Sequence, residues 1–562
     1  MKKIRIFALL VAASLATTAC KDFLEEKPLD FVSPDQVTDP SVIANGALNT
    51  LASGAMFRYG PFPNLWDYDS DDATGPSWAF GDVGAGNYQA YWGIDYGWNG
   101  PYTLIHRANF GISQVMAMEA DEATKKKALG QLYFLRGWAY FLLVRAYGAV
   151  PLLEKSVAEG TDPQQPRRPV KEVYAFIISS LKLAEENLPS TRDAGYEPGR
   201  PSKGAASSLL AKVYLTMASG SLSGGQVTVL GGKAYKLVAG KKIILEPQAL
   251  THTKTVVAGL EGLNSAEYFK LARDKAQEVI SSGEYQLYSS HLEVWSLGSR
   301  NRGEHIWSVQ ALSNHPDFGN EISFFRRGRL DPAKDNEIEG GWIGTSYQWN
   351  NLFEKNDQRI TDGVLHRWKM WGNNMHYYPL SDSLVVRGVD QSPEAAAKRA
   401  KYGYQPTDQS GLDDGRIARL RKFEAVTDNK ITLGDFYFPI LRYPDVLLIF
   451  AEAANEVNGG PTADAIEAVN KIRRRNSASE VGALGQQEFR SFVLEERRRE
   501  LALEGDRRWD LLRWGIYLPV MNAIDIDENN VPKRRQQKHL LYPIPISEVN
   551  SNKALGGNNP GW

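Results

Sequence analysis

The sequence predicts a mostly α-helical protein in which tetratricopeptide-like helix pairs pack beside a loop-rich region, with minor short β-hairpins. Three observations carry that reading. Apolar residues recur at helical spacing in seven segments, long aromatic-rich connections separate them, and one β-prone stretch interrupts the series.

The helices justify themselves in chain order. From Lys125 to Tyr147, apolar positions fall at Leu129, Leu132, Leu135, Ala139, Leu142, Leu143 and Tyr147. Gly148 follows as a C-cap and Pro151 blocks continuation. Val170 to Leu188 carries a stripe of Val173, Phe176, Ile177, Leu181 and Ala184, and Pro189 ends it. Gly204 to Ala218 is rich in Ala and Ser, so its neighbours can approach closely. Phe269 to Ile280 follows. Val446 to Val457 and Ala463 to Arg474 form a pair across Asn458-Gly459-Gly460-Pro461, and Phe489 to Leu503 is the last long helix. Paired helices with small residues between them resemble tetratricopeptide units, although the strict repeat consensus is absent.

Between the helices run connections at 59–100, 312–350 and 368–415, rich in Gly, Asn, Asp and aromatic residues. Loops of such length in a compact domain are usually functional surfaces. Residues 222–264 differ again. Gln226 to Leu230, Tyr235 to Val238 and Lys242 to Leu245 are short β-prone runs between Gly pairs, which predicts a hairpin-like excursion from the helical body.

Composition bounds the function. The chain has 562 residues, with 65 Lys plus Arg against 66 Asp plus Glu, a net charge of −1. Binding to nucleic acid needs a cationic excess that this balance does not supply. There are 14 Trp and 25 Tyr, side chains that fill cores and also build recognition surfaces.

The single cysteine, Cys20, removes intramolecular disulfides, zinc ribbons and CxxC redox chemistry. Lys2, Lys3 and Arg5, the apolar run Ile6 to Leu15, and then Thr17-Thr18-Ala19 form an export signal too short to span a bilayer. A lone Cys directly after those small residues resembles a bacterial lipobox, with Thr17 where Leu is usual. Acylation of Cys20 would anchor the chain, each buried methylene contributing about 0.8 kcal/mol. Residues 1–19 are thus expected to be removed and 20–40 to form a lipidated, Pro-punctuated tether. Residues 41–562 are expected to form one domain: an N-terminal part to about 220, the excursion at 222–264, and a C-terminal part from 265.

Several stretches then fall into a shared order. They begin with Cys20-Lys21-Asp22-Phe23-Leu24-Glu25, then Trp98, Tyr102, Ile105, Ala108 and Asn109. Phe134-Leu135-Arg136-Gly137 leads through Tyr147-Gly148 to Val150-Pro151, and Gly199 to Ala205 opens the next helix. Arg442-Tyr443-Pro444-Asp445 precedes Ala451-Glu452-Ala453. Arg498-Arg499-Glu500-Leu501, Glu504-Gly505 and Arg507-Arg508-Trp509-Asp510-Leu511 form a C-terminal hallmark, closed by Tyr542-Pro543-Ile544-Pro545 and Asn559-Pro560-Gly561. Together they resemble the SusD/RagB family of outer-membrane nutrient-binding lipoproteins; the 222–264 stretch departs from it. The resemblance implies a surface protein that delivers a nutrient, in all expectation a glycan, to a SusC-like TonB-dependent β-barrel transporter. The hallmark residues Arg499, Glu500, Glu504, Arg508 and Asp510 stand three and four apart, which reads as ion pairs locking helix to loop rather than as catalysis.

Catalytic motifs are missing: no HExxH, no GxSxG, no complete P-loop, and Gly84-Ala85-Gly86 fails the dinucleotide fingerprint. A glycosidase needs only two placed carboxylates, and nothing singles out a pair. The run Trp66-Asp67-Tyr68-Asp69-Ser70-Asp71-Asp72 alternates acids in a way that suggests calcium. An EF-hand starting at Asp67 would need Gly and Glu where the sequence has Asp72 and Trp78, so that motif is rejected; the run reads as turn and capping chemistry and no cofactor is expected, with a looser structural calcium site as the alternative.

A sugar presents an apolar C–H face that complements an aromatic ring, and nearby carboxylates take its hydroxyls. The ligand-binding candidates are therefore Trp66, Asp67, Asp69, Trp78, Tyr88 and Trp92, completed by Trp342 and Trp368 from the other long loops. Two readings from other classes stay open on the sequence alone: a surface glycoside hydrolase, which predicts turnover, and a protein-binding helical scaffold, which predicts no small-ligand affinity.

Overall fold

The structure is a computed structural model that describes residues 37–59, 61–370, 374–379, 381–405 and 417–562. Cys20, the signal segment and most of the tether lie outside the described residues.

The body is a succession of packed helices: α1 (Pro40–Leu48), α2 (Pro61–Tyr68), α3 (Ser77–Ala85), α4 (Tyr96–Ala117), α5 (Glu122–Tyr147), α6 (Val170–Asn187), α7 (Lys203–Ser221) and α8 (Ser265–Ser282). After a long irregular region come α9 (Tyr443–Asn458), α10 (Ala463–Arg475), α11 (Gln486–Glu500), α12 (Arg507–Arg513) and α13 (Tyr517–Ile524). Helices α4 to α6 pack in sequence; α7 packs on α6 and α8, and α9 on α8, α10 and α11. One contiguous hydrophobic core draws residues from Ala44 to Leu555, and a small second cluster gathers Tyr377, Val385, Val386, Ala395 and Tyr404.

Local chemistry explains the boundaries. Asp121 caps α5 by accepting the Thr124 N–H, Ser202 caps α7 through the Ala205 N–H, and Thr462 caps α10 through the Ala465 N–H. Gly148 closes α5 at φ 73° and Gly459 closes α9 at φ 67°. Close approach is set by glycine: a Cβ on Gly137 of α5 would lie 2.8 Å from Leu181 of α6.

The predicted helices are all present, with boundaries displaced by up to four residues; the one predicted to reach Leu503 ends at Glu500. The 59–100 connection is more ordered than its composition suggests, because α2, α3 and the start of α4 lie inside it. Strand β1 is the two-residue Ala73–Thr74, and the excursion further along the chain holds two nested hairpins. Strand β2 (Gln226–Gly231) pairs with β5 (Gln248–Thr253), and β3 (Tyr235–Val238) with β4 (Lys241–Ile244). Strand β5 went unread in the sequence because Gln248-Ala249-Leu250-Thr251-His252-Thr253 carries little apolar alternation. Among the described residues no helix is long and apolar enough to cross a membrane.

Candidate functional site

Helix α2 delivers the chain to the acidic run, and a two-residue strand, Ala73–Thr74, then pairs with Gly344–Thr345. The contact is tight at Gly75, where a Cβ would lie 1.9 Å from the Trp342 carbonyl oxygen. That approach sets Trp78, at the start of α3, beside Trp342, ring centroids 5.2 Å apart at 69°. Trp342 leans in turn on Phe324 at 5.5 Å and Phe325 at 5.8 Å. The aromatic contacts continue inward from Phe325 to Phe80 at 5.4 Å and Tyr91 at 6.3 Å, and emerge at Trp92 at 5.5 Å. Trp78 is 66% exposed and Trp92 56%, while Trp342 and Phe324 are half-buried. Two wet indoles thus stand at the ends of one packed aromatic spine.

The other candidates are not on this face. Trp66 is buried edge-on against Phe62 at 5.0 Å and belongs to the core. Trp368 is buried between His376, stacked at 5.9 Å, and the Arg419 guanidinium, 4.7 Å from its ring centroid. Tyr88 is fully buried and donates its O–H to Asp69. These three, with Asp67 and Asp69, are corrected from ligand-binding to structural residues, since burial leaves no ring face or carboxylate for a sugar.

The acidic run is the anchor of the loop. Asp67 pairs with Arg326 at 2.7 Å and accepts the Gly505 N–H at 2.8 Å. Asp69, with no exposed surface, pairs with Arg508 and with Arg535 at 2.9 Å, and accepts the Tyr517 O–H at 2.6 Å. Asp71 pairs with Arg507 at 2.7 Å, and Asp72 with Arg498 at 2.5 Å. The calcium expectation for this run is corrected on the same ground: its carboxylates face arginines, and among the described residues no three acidic, His or Cys groups are gathered to hold a metal. Burial raises the Asp69 carboxyl, but Arg508 and Arg535 outweigh it and hold the group below the usual carboxylate range.

The C-terminal hallmark is the partner of this run and of a second cluster. Glu500 meets Arg442 at 3.1 Å and Arg359 at 3.4 Å, and also Arg475; Glu504 meets Arg442 and Lys422, each at 2.7 Å. Asp510 is bracketed by Arg497 at 2.8 Å and Arg513 at 2.9 Å. The expected ion pairs between helix and loop are therefore present, but most span distant sequence rather than one helical turn. Arg326, Arg535 and the Phe324-Phe325 pair were missed; the Phe324-Phe325-Arg326-Arg327 run inside the 312–350 connection could have drawn attention to three of them, and Arg535 lies in the short basic run Lys533-Arg534-Arg535, which reads by itself as a solvated face.

These groups titrate in opposite directions. Burial raises Glu496, yet Arg359, Arg499 and Arg473 outweigh it and hold the group down to about 2. Glu528 is pushed up to about 7 by burial and by the charge of Asp527. A depressed carboxylate contributes stability above its unfolded value, near 4.5, and loses it as pH falls toward about 2. A raised one favours the folded state when protonated, and that contribution is lost as pH rises from 4.5 through about 7. Relative to wild type, Glu528→Gln should gain stability as pH rises from about 4.5 through about 7, because it removes a carboxylate whose ionised form the fold disfavours; urea unfolding of both proteins across this range measures the difference. A stability difference between the two proteins that stays constant from pH 4.5 to 7 would contradict this assignment.

Two open recesses of about 580 Å³ lie elsewhere, one lined by α8 and α9 residues including Arg273 and Phe450, the other by Asp39, Asp121 and Lys127; neither includes an aromatic candidate.

This architecture, a helical body presenting an aromatic loop face braced by buried ion pairs, matches known proteins along the chain. A family model described as "SusD family" matches residues 334–562, and one described as "Starch-binding associating with outer membrane" matches residues 22–215. The chain belongs to the SusD/RagB family. It is 25% identical to SusD-like protein P2 of Formosa agariphila over the full length of both chains. It is 21% identical to the starch-binding protein SusD of Bacteroides thetaiotaomicron over 81% of this chain and 76% of that one. In fold it is similar to a SusD homolog from Bacteroides thetaiotaomicron, with a TM-score of 0.72 and 22% identity over 94% of this chain and 98% of the other. A SusD superfamily protein from Parabacteroides distasonis gives a TM-score of 0.67 at 24% identity, covering 93% and 98%. Neither family model reaches the hairpin excursion.

Proposed function

We propose that the chain is a cell-surface lipoprotein of the outer membrane that binds a glycan non-enzymatically and passes it to a SusC-like TonB-dependent β-barrel transporter. Cys20 carries the lipid in this reading and residues 20–40 form the tether. The observation that carries the glycan assignment is the Trp78–Trp342 pair, a large apolar face kept at the surface and held in place by Phe324 and Phe325. An indole fixed by packing can stack on a sugar without losing rotamer freedom at the moment of binding. The relatives support the class: one similar chain is named a starch-binding protein and one similar structure a laminarin-binding SusD-like protein.

The test is calorimetry on protein lacking residues 1–20, titrated with plant, host and microbial oligosaccharides, each mixture then assayed for cleavage. Saturable binding without products supports the reading. Products would make the protein a hydrolase, and silence across the panel would point to a peptide ligand or a protein scaffold.

A further inference from the structure

Two adjacent carboxylates on the loop that follows α13, Asp527 and Glu528, are buried, and each grips one side of the aromatic face. Asp527 Oδ2 accepts the Thr74 O–H of β1 at 2.8 Å. Glu528 Oε1 accepts the Tyr347 N–H at 2.8 Å, two residues past the Gly344–Thr345 strand that pairs with β1. Trp78 follows the first strand by four residues and Trp342 precedes the second by two. The same loop ties β1 twice more: Lys533 Nζ donates to the Ala73 carbonyl at 2.9 Å, and Asn529 Nδ2 to the Thr74 hydroxyl at 2.9 Å. It also supports α3, the helix that carries Trp78, since a Cβ on Gly84 would lie 2.8 Å from Val531. Asp527 Oδ1 meanwhile accepts the Asn529 and Val531 N–H groups and so fixes the turn of the loop itself. Both indoles of the glycan face therefore depend on one short acidic loop.

That loop is built to hold fewer than two negative charges. Lys533 stands 3.8 Å from Asp527, and Lys242 reaches over from β4 to donate to the Glu528 carbonyl at 2.9 Å. The other titratable groups facing the pair are the phenols of Tyr68 and Tyr378, both held neutral by burial. Two buried carboxylates side by side disfavour each other's ionisation. Burial raises Asp527 against the pull of Lys533, and burial together with the Asp527 charge pushes Glu528 up to about 7. A protonated Glu528 keeps a carbonyl oxygen for the Tyr347 N–H. An ionised Glu528 is repelled by Asp527 and gains by turning toward water, which releases Tyr347. The gripped arrangement is thus favoured with the proton on, and that advantage is lost as pH rises from 4.5 through about 7.

We infer that Glu528, together with Asp527, is a proton-dependent clasp that positions the glycan face: the protonated pair holds the strands of Trp78 and Trp342 together, and ionisation loosens them. Its ligand rests on the glycan reading above; its geometry does not. Calorimetry with a neutral oligosaccharide from the panel should show wild-type affinity falling about threefold or more from about pH 4.5 to about pH 7.5. Glu528→Gln keeps an acceptor for Tyr347 but cannot ionise, so it should flatten that profile. Glu528→Ala removes the acceptor and should bind more weakly at both ends of the range. Amide hydrogen exchange reads the clasp without ligand, comparing wild type and Glu528→Gln at one pH. Segments 73–75 and 344–347 should exchange faster in wild type at about pH 7.5 and equally in the two proteins at about pH 4.5. An affinity profile of Glu528→Gln parallel to that of wild type overturns the clasp while the glycan reading stands. If wild type binds no oligosaccharide, the glycan reading falls and exchange alone decides, equal exchange at both pH values overturning the clasp.

Discussion

Asp69→Ala should destabilise the protein by about 3–5 kcal/mol, the largest loss expected of any single carboxylate in the acidic run. The carboxylate is wholly buried and answers two guanidiniums, Arg508 and Arg535, and two phenols, Tyr88 and Tyr517. Removing it leaves two cations without water or counter-charge, and that uncompensated burial, more than the lost hydrogen bonds, sets the cost. Asp72→Ala should cost less, because Arg498 keeps Asp71 and Glu495 within 3.3 Å. Urea unfolding of the three proteins at neutral pH checks the order; equal losses would mean that the hub carries no special weight.

Trp342→Ala should weaken glycan binding about tenfold or more, and Trp78→Ala by a similar or smaller factor. The asymmetry comes from the support. Trp342 is wedged between Phe324, Phe325 and Trp78, so its removal both deletes a stacking face and frees Trp78 to rotate. The double variant should therefore bind little worse than Trp342→Ala alone, since touching residues do not add. Calorimetry with the best oligosaccharide from the panel measures all three. Fully additive losses would place the two indoles on separate ligand contacts, and unchanged affinity would remove them from the site. Trp66→Ala should act on stability instead, because its ring is core.

The helices were legible because their stabilisation is local to each stripe: a 3.6-residue period, a cap and a glycine stop are all written within one segment. The site was legible only in part. Of the candidate indoles, Trp78 and Trp92 are exposed and Trp342 half-buried, but nothing near Trp66 or Trp368 in sequence sets those two apart; the rings and cations that bury them come from elsewhere in the fold. The acidic run shows the same limit more sharply. Asp, Asp and Asp at alternate positions look like turn or metal chemistry until Arg326, Arg498, Arg507, Arg508 and Arg535 arrive from more than 250 residues away. Glu500 and Glu504 were read as ion-pairing residues, and they are; their partners at Arg359, Arg442 and Arg475 could not be assigned from spacing.

The Asp69 hub also bears on the order in which the molecule is completed. A ribosome releases the α2 end early, yet Arg508, Tyr517 and Arg535 emerge only at the close of synthesis. Until then Asp69 has no cation to answer it, although Asp67 can already meet Arg326 and Ala73–Thr74 can already pair with Gly344–Thr345. Long-range closure of this kind is slow and leaves an unfinished chain open to misassembly. The hub is thus among the last parts of the molecule to close, and a copy that stops short of Arg535 can still set Trp78 against Trp342 but leaves Asp69 with Arg508 and without its second guanidinium.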